Sequence, residues 1–219
     1  MNTLERTSGL AAMVALCAGG VAFASPIAIS NAGFEDNEFA PTGFSREIVA
    51  WTTVGDAGAF RPNQTMFTNA APEGLNVAFV QVGWTLGTGA LEQTLDIGLQ
   101  ANTTYTLSGL VGRRLDNPIA WTGYTVSLWA GDERLAIVDT PVAPAMGAFE
   151  SFSLNFTSAE QSVFEGELLK VRLEAKNGQT AFDAITLDAT PIPAAGPAAL
   201  AALAMLSAAG RSRRSSPRA

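Results

Sequence analysis

Residues 167–188 read ELLKVRLEAKNGQTAFDAITLD, and this stretch decides the fold. In residues 167–175 apolar and charged side chains alternate, which is the period of a strand with one buried and one solvated face. Asn177-Gly178 is a strong signal for a two-residue hairpin turn. Residues 180–188 then predict the last strand. The inward set of the first strand is Leu169, Val171 and Leu173, and the outward set is Lys170, Arg172 and Glu174.

The same alternation recurs along the chain, in residues 103–111, 123–130 and 149–157. Residues 134–138 look like a hairpin partner for 123–130, across the turn residues 131–133. Residues 75–82 are apolar on both faces, which predicts a central strand covered on both sides. No stretch shows a helical period over three turns. About ten short strands separated by Gly, Pro, Asn and Asp predict an all-β domain over residues 25–190, a β-sandwich and most simply a jelly roll.

Residues 1–24 have the organisation of a secretory signal peptide. Arg6 precedes an apolar run over residues 9–23, and Ala22-Phe23-Ala24 provides small residues at the positions that a signal peptidase reads. Removal of this segment would also remove Cys17, the single cysteine of the chain. We therefore expect an exported body without disulfides.

Residues 191–219 form a tail with three parts. Pro191-Ile192-Pro193 is followed by an apolar run of about 25 Å, if helical, over residues 194–210, and then by Arg211, Arg213 and Arg214. Such a run is short for a membrane span, and arginines that follow it favour the cytoplasmic side.

This tail resembles the PEP-CTERM sorting signal of Gram-negative bacteria, although Ile192 stands where Glu is usual. The resemblance implies recognition by an exosortase-type processing enzyme, transient membrane insertion of the C-terminal helix, and delivery to the cell envelope, surface or extracellular matrix. The alternative is a retained, unprocessed Ala-rich membrane anchor.

The body is strongly acidic and contains no histidine. Residues 25–190 hold 8 of the 13 basic residues and 19 of the 20 acidic ones, a net charge of −11. That charge repels phosphate backbones and argues against nucleic-acid binding. The absence of His excludes Ser-His-Asp triads and His-based zinc sites.

The body resembles the carbohydrate-binding modules of the galactose-binding-like jelly-roll superfamily. The resemblance is carried by residues 31–35 (NAGFE), Trp51, residues 99–107 (LQANTTYTL) and residues 182–187 (FDAITL). It implies a structural Ca²⁺ held by Glu35 and Asp183, since calcium prefers carboxylate oxygens. The alternative for each carboxylate is a role in capping loop amides or pairing with Arg or Lys.

Four residues are candidates for ligand binding. Trp129 shares the polar face of its strand, where an indole can stack on a sugar ring, and packing beneath a loop is the alternative. Arg113, Asn117 and Trp121 lie in a polar segment, residues 112–122, of a composition that both glycan sites and solvated loops contain.

The sequence thus predicts an exported, non-catalytic protein that binds an extracellular polysaccharide. One alternative is a structural or adhesive matrix protein without a sugar site. The other is a glycan-active enzyme, because a pair of carboxylates can hydrolyse a glycosidic bond.

Overall fold

The computed structural model describes residues 22–83, 87–117 and 119–193. Within these ranges the chain forms β-strands and no helix. The strands are β1 (Ser25–Ile27), β2 (Phe44–Ser45), β3 (Thr52–Val54), β4 (Ala57–Phe60), β5 (Val77–Val82), β6 (Ala90–Gly98), β7 (Thr103–Arg113), β8 (Gly123–Ala130), β9 (Glu133–Asp139), β10 (Phe149–Thr157) and β11 (Leu168–Pro191).

The strands form two antiparallel layers. Sheet one has the order β10-β7-β11-β5-β4-β2, and β1 pairs with the end of β11. Sheet two has the order β3-β6-β11-β8-β9. The all-β sandwich that the alternation predicts is therefore confirmed, as are the 123–130 hairpin with its partner and the strand at 149–157.

The hairpin predicted at Asn177-Gly178 is wrong. β11 runs through this dipeptide without reversing, and it pairs with β6 and β8 on one side of it and with β5 and β7 on the other. Gly178 has φ 70°, so the left-handed conformation that a turn would use instead redirects one strand from sheet two into sheet one. An ideal Cβ on Gly178 would lie 3.2 Å from the backbone oxygen of Ile119, because the loop after β7 packs against this bend.

The main core lies between the two sheets. Tyr124 of sheet two meets Phe152 and Phe182 of sheet one edge to face, with ring centroids 6.2 and 5.5 Å apart. Burial of these rings and of the aliphatic side chains around them is the main driving force for association of the sheets. The core also includes Leu91, Leu95, Leu107, Val111, Val126, Leu128, Leu154, Leu169, Val171, Leu173, Ile185 and Leu187.

A second, smaller apolar cluster lies on the outer face of sheet one. It consists of the buried residues Phe60, Phe67, Val77, Phe79 and Ala181. β5 is therefore covered on both sides, with Ala78 and Val80 in the main core. The prediction of a doubly covered strand at 75–82 is confirmed, and its outward apolar residues mark a second packed surface.

The described residues include only the inner ends of the two terminal segments. The predicted signal peptide (1–24) and sorting tail (191–219), with the helices expected in them, otherwise lie outside the described residues. No helix in the described ranges is long and apolar enough to cross a membrane.

Replacement of Gly178 by Ala should destabilise the protein by roughly 2 kcal/mol, because a Cβ there combines positive-φ strain with a close backbone contact. Gly166→Ala is a matched control, since Gly166 has φ 86° but no atom within 4 Å of an ideal Cβ. Denaturant unfolding should show the larger loss for Gly178→Ala. Equal losses would mean that the loop contact at the bend contributes nothing.

Candidate active site

A pocket of about 300 Å³ opens on the outer face of sheet one, over the second apolar cluster. Its walls are largely aromatic and apolar, and its floor is polar. This combination is typical of sites for small organic ligands. The walls include Phe44, Phe60, Met66 and Phe79, and the floor includes Gln81 and Gln179. We call this cavity the main pocket.

Strand register places these side chains together. Gln81 of β5 lies directly opposite Gln179 of β11, and Phe44 of β2 lies opposite Phe60 of β4. Since side chains alternate along a strand, Gln81 points to the same outer face as Phe79. The floor is thus a direct product of how β2, β4, β5 and β11 pair.

Six polar side chains form a continuous hydrogen-bonded chain across the floor, which we call the polar relay. Arg114 Nη1 donates to Gln179 Oε1 at 2.7 Å, Gln179 Nε2 donates to Gln81 Oε1 at 2.9 Å, and Gln81 Nε2 donates to Asp56 Oδ2 at 2.7 Å. Each link has the length of a well-formed hydrogen bond. The full order is Asp116, Arg114, Gln179, Gln81, Asp56, Arg46.

An ion pair closes each end of the polar relay. Arg114 binds Asp116 through two nitrogens, at 2.8 and 2.7 Å, and Arg46 donates to Asp56 at 2.9 Å. The hydrogen bond from Arg114 lowers the pKa of the Asp116 carboxyl group, so this group is a carboxylate at neutral pH. Asp56 is 1% exposed, and both of its oxygens accept hydrogen bonds from side-chain nitrogens. The relay as a whole carries no net charge.

The two glutamines give the pocket its capacity to orient a ligand. Gln81 and Gln179 are each 7% exposed, and each uses one of the two hydrogens on its amide nitrogen within the relay. The second N–H of each can donate to an acceptor atom of a bound molecule. Because the relay fixes both amides, such a donor is already oriented before binding.

The four candidate ligand residues divide into two groups. Arg113, Asn117 and Trp121 line one recess of about 190 Å³ beside the main pocket. Trp129 instead lies on β8 in sheet two, where Lys170 and Arg134 stand 5.2 and 5.7 Å from its ring centroid. Its indole nitrogen donates to Ser127 Oγ at 2.8 Å. Trp129 is thus not part of the site that contains the other three.

The candidate metal residues, Glu35 and Asp183, both lie against the loop segment 73–76. Glu35 Oε1 accepts from the backbone nitrogens of Leu75 and Asn76, at 2.9 and 2.7 Å. Asp183 Oδ2 accepts from the backbone nitrogen of Glu73 at 2.9 Å. Both carboxylates are therefore bound to the segment 73–76, as the amide-capping alternative predicts. No cluster of three or more Asp, Glu, His or Cys side chains in the described part of the chain has the arrangement of a metal site.

Asp183 is nevertheless an unusual carboxyl group, because it is fully buried. Burial is the main cause that raises its pKa to about 7; the hydrogen bonds from the Glu73 and Ala184 nitrogens oppose this rise, and the nearby carboxylates of Glu73 and Glu35 add to it. A cation would relieve the same repulsion. The site thus has the chemistry of a cation site, with two carboxylates and no third ligand side chain in place.

Comparison with known proteins identifies the family. The family model described as HpiC1-like, HpiC1 cyclase, matches residues 25–188. This chain belongs to the HpiC1-like cyclase family. Comparison with curated protein sequences finds no match.

Solved structures agree with this assignment. A Stig cyclase from Fischerella sp. TAU, in complex with (3Z)-3-(1-methyl-2-pyrrolidinylidene)-3H-indole, is 29% identical with a TM-score of 0.69, over 78% of this chain and 100% of that chain. A cyclase from the same organism, in complex with 4-(1H-indol-3-yl)butan-2-one, is 29% identical with a TM-score of 0.68 over the same shares. An apo cyclase from Fischerella sp. is 29% identical with a TM-score of 0.68, over 78% of this chain and 98% of that chain.

These findings correct the functional prediction. The expectation of a non-catalytic polysaccharide-binding protein is wrong, because the whole β-sandwich matches a family of cyclases. The carbohydrate-binding resemblance identified the layout of the sandwich and not its chemistry.

Sequence reasoning placed Arg114 and Asp116 in the polar segment 112–122 but missed the other four residues of the polar relay. Asp56, Gln81 and Gln179 are isolated polar residues in sequence, and nothing local links them. One signal was present: Gln81 lies within residues 75–82, a stretch that is largely apolar on both faces. An amide in line with outward-facing Val77 and Phe79 indicates a polar group set into an apolar outer surface.

The raised pKa of Asp183 predicts that stability falls with pH in the presence of a chelator. The folded state keeps this proton up to about pH 7, while the unfolded chain loses it near its ordinary value of 3.8, so stability decreases between these two values and is level above them. Between pH 5 and 8 we expect a loss of roughly 2–3 kcal/mol at about 1.4 kcal/mol per pKa unit. Urea unfolding of the wild type and of Asp183→Asn checks this, since the variant should lack that slope. Parallel profiles for the two proteins would contradict the assignment.

Proposed function

We propose that this protein is a cyclase that closes a ring within a single substrate whose aromatic part is bound in the main pocket. The observation that carries the proposal is an aromatic-walled pocket set on a hydrogen-bonded amide floor, in a chain of the HpiC1-like cyclase family. The complexes of the Fischerella cyclases with two indole compounds support an indole-sized substrate.

The pocket suits such a molecule by size and lining. Its volume of about 300 Å³ lies at the small end of the range for ligand sites. Phe44, Phe60 and Phe79 offer ring faces and edges against which a bicyclic aromatic packs. The glutamine N–H groups supply the few polar contacts that fix its orientation.

Ring closure requires that two atoms of one flexible molecule come into contact in a defined geometry. Apolar walls hold the substrate folded and exclude water, and this confinement converts a rare conformation into the bound one. Oriented amide donors stabilise charge that develops on a substrate acceptor atom. Asp116 is held ionised by Arg114, and Asp56 accepts hydrogen bonds at both oxygens, so the polar relay as built offers positioning and hydrogen bonding.

We further propose that a structural Ca²⁺ binds at Glu35 and Asp183. Two observations support it: the full burial of the Asp183 carboxyl group and its repulsion by Glu73 and Glu35. Backbone carbonyls of the surrounding loops would supply the remaining oxygen ligands. When bound, the ion would stabilise the edge of the sandwich and take no part in ring closure.

Several expectations stay predictions. Residues 1–21 and 194–219 lie outside the described residues, so export, processing by an exosortase-type enzyme and membrane insertion rest on sequence alone. The same holds for an extracellular polysaccharide partner, for location in the cell envelope or matrix, and for the finer assignment to the galactose-binding-like superfamily.

Cyclase activity predicts a product with the mass of its substrate and a different retention time. Purified protein should convert a member of a panel of indole-bearing alkenes to such an isomer, detected by chromatography with mass spectrometry. Phe44 is 60% exposed at the pocket, so Phe44→Ala should raise KM by about tenfold through lost contact while stability stays unchanged. Ile137→Ala, an exposed apolar residue of sheet two, is the control. No isomer from any panel member, with no binding of indole compounds, would contradict the function.

Calcium should raise the thermal midpoint of unfolding by about 5 °C or more, relative to protein in chelator. Asp183→Asn should lose most of this shift because it removes a charged ligand. Asp139→Asn, which alters an exposed carboxylate paired with Lys176, should keep it. A wild-type midpoint that is the same with calcium and with chelator would refute the metal site and leave the cyclase proposal untouched.

A further inference from the structure

The recess beside the main pocket is lined in part by polar side chains that, except for Arg114, do not belong to the polar relay. Arg113, Asn117 and Trp121 line it, and it shares Arg114 and Asn117 with the main pocket. The two cavities are therefore adjacent, and a ligand in one can extend into the other. We call this cavity the side recess.

Asn117 presents an unused donor at the boundary. Its Nδ2 atom is excluded from solvent and has no hydrogen-bond acceptor among the described residues. Its Oδ1 accepts from the backbone nitrogen of Ile119 at 3.0 Å, which fixes which end of the amide points into the loop. A buried donor without an acceptor is costly, and a ligand oxygen would remove that cost.

Arg113 presents an unused charge in the same recess. Arg46, Arg114 and Arg172 each form an ion pair with a carboxylate, whereas Arg113 has none within the described part of the chain. Its guanidinium group instead lies 5.3 Å from the ring centroid of Trp121. Stacking on the ring leaves the N–H edge of the guanidinium group directed away from the indole.

The recess is rigidly supported. Trp121 Nε1 donates to Thr180 Oγ1 at 2.8 Å, and Thr180 is 0% exposed and lies opposite Arg113 in the strand register. Asn177 Nδ2 donates to the carbonyl of Ala120 at 2.8 Å, which holds the loop to the bend of β11. The donor and the guanidinium group are thus positioned before a ligand binds.

We infer that the side recess binds a carboxylate group carried by the substrate whose aromatic part occupies the main pocket; this inference rests on the proposed function. A planar carboxylate accepts from a guanidinium edge and from an amide N–H at once. The volume of about 190 Å³ is sufficient for a carboxylate group. In a body with a net charge of −11, a local guanidinium group without a partner is what selects an anionic ligand.

Two isosteric probes test the inference. 4-(1H-indol-3-yl)butan-2-one is neutral, and 3-(1H-indol-3-yl)propanoate replaces its terminal methyl group with a carboxylate oxygen. Calorimetric titration of the full protein at pH 7 should give about tenfold tighter binding of the acid than of the ketone. The carboxylate forms charge-assisted hydrogen bonds that the neutral ketone cannot form. Arg113→Met, which preserves the stack on Trp121, should remove this preference and leave ketone affinity within about twofold.

Asn117→Asp provides a second variant that keeps the Oδ1 contact and replaces the donor with a carboxylate. It should also abolish the preference for the acid. Arg134→Met is the matched control, since Arg134 lies over Trp129 in the other sheet and has no acidic partner among the described residues. Ketone binding with no preference for the acid, or a preference that survives in both variants, overturns the inference and leaves the cyclase proposal standing. Binding of neither probe overturns both.

Discussion

The bend of β11 at Gly178 is the constraint on which the rest of the structure depends. One strand supplies the centre of both sheets, and it does so because a single glycine accepts a left-handed backbone between two extended segments. The first segment contributes Leu169, Val171 and Leu173 to the main core. The second contributes Phe182 inward and Gln179 outward, so the same bend that joins the layers also delivers a polar side chain to the outer surface.

The outward Gln179 belongs to the polar relay, in which each arginine is paired with a carboxylate. Two ion pairs close a chain of two amides, and every link has one donor and one acceptor. Such a chain has a single favourable arrangement, since reversing either amide would set donor against donor. The floor of the main pocket is therefore stiff although the members of the polar relay come from three loops and two strands. Stiffness of this kind is what a site needs when its task is to hold one conformation of a flexible molecule.

Local patterns in the sequence predicted most of the strands and the two-layer architecture, because alternation is a property of neighbouring residues. The Asn177-Gly178 signal specified the backbone conformation at Gly178 correctly, but it did not specify whether the chain would reverse. Glu35 and Asp183 were paired from a family resemblance, and both accept hydrogen bonds from backbone nitrogens of the segment 73–76. The pairing of Gln81 with Gln179 joins residues 98 positions apart, and it depends on strand register that no local pattern encodes. The enzymatic nature of the family was likewise invisible, because the residues of the floor are ordinary amides and ion pairs.

The placement of the main pocket over the smaller apolar cluster separates it from the core of the sandwich. Phe67 and its neighbour Met66 cover that cluster from a loop and not from a paired strand. Segments with few strand hydrogen bonds open at a lower free energy than the whole domain. Local opening of the covering loop would therefore alter the main pocket while both sheets remain folded, and substitutions in this loop and in the core between the sheets should affect different properties of the protein.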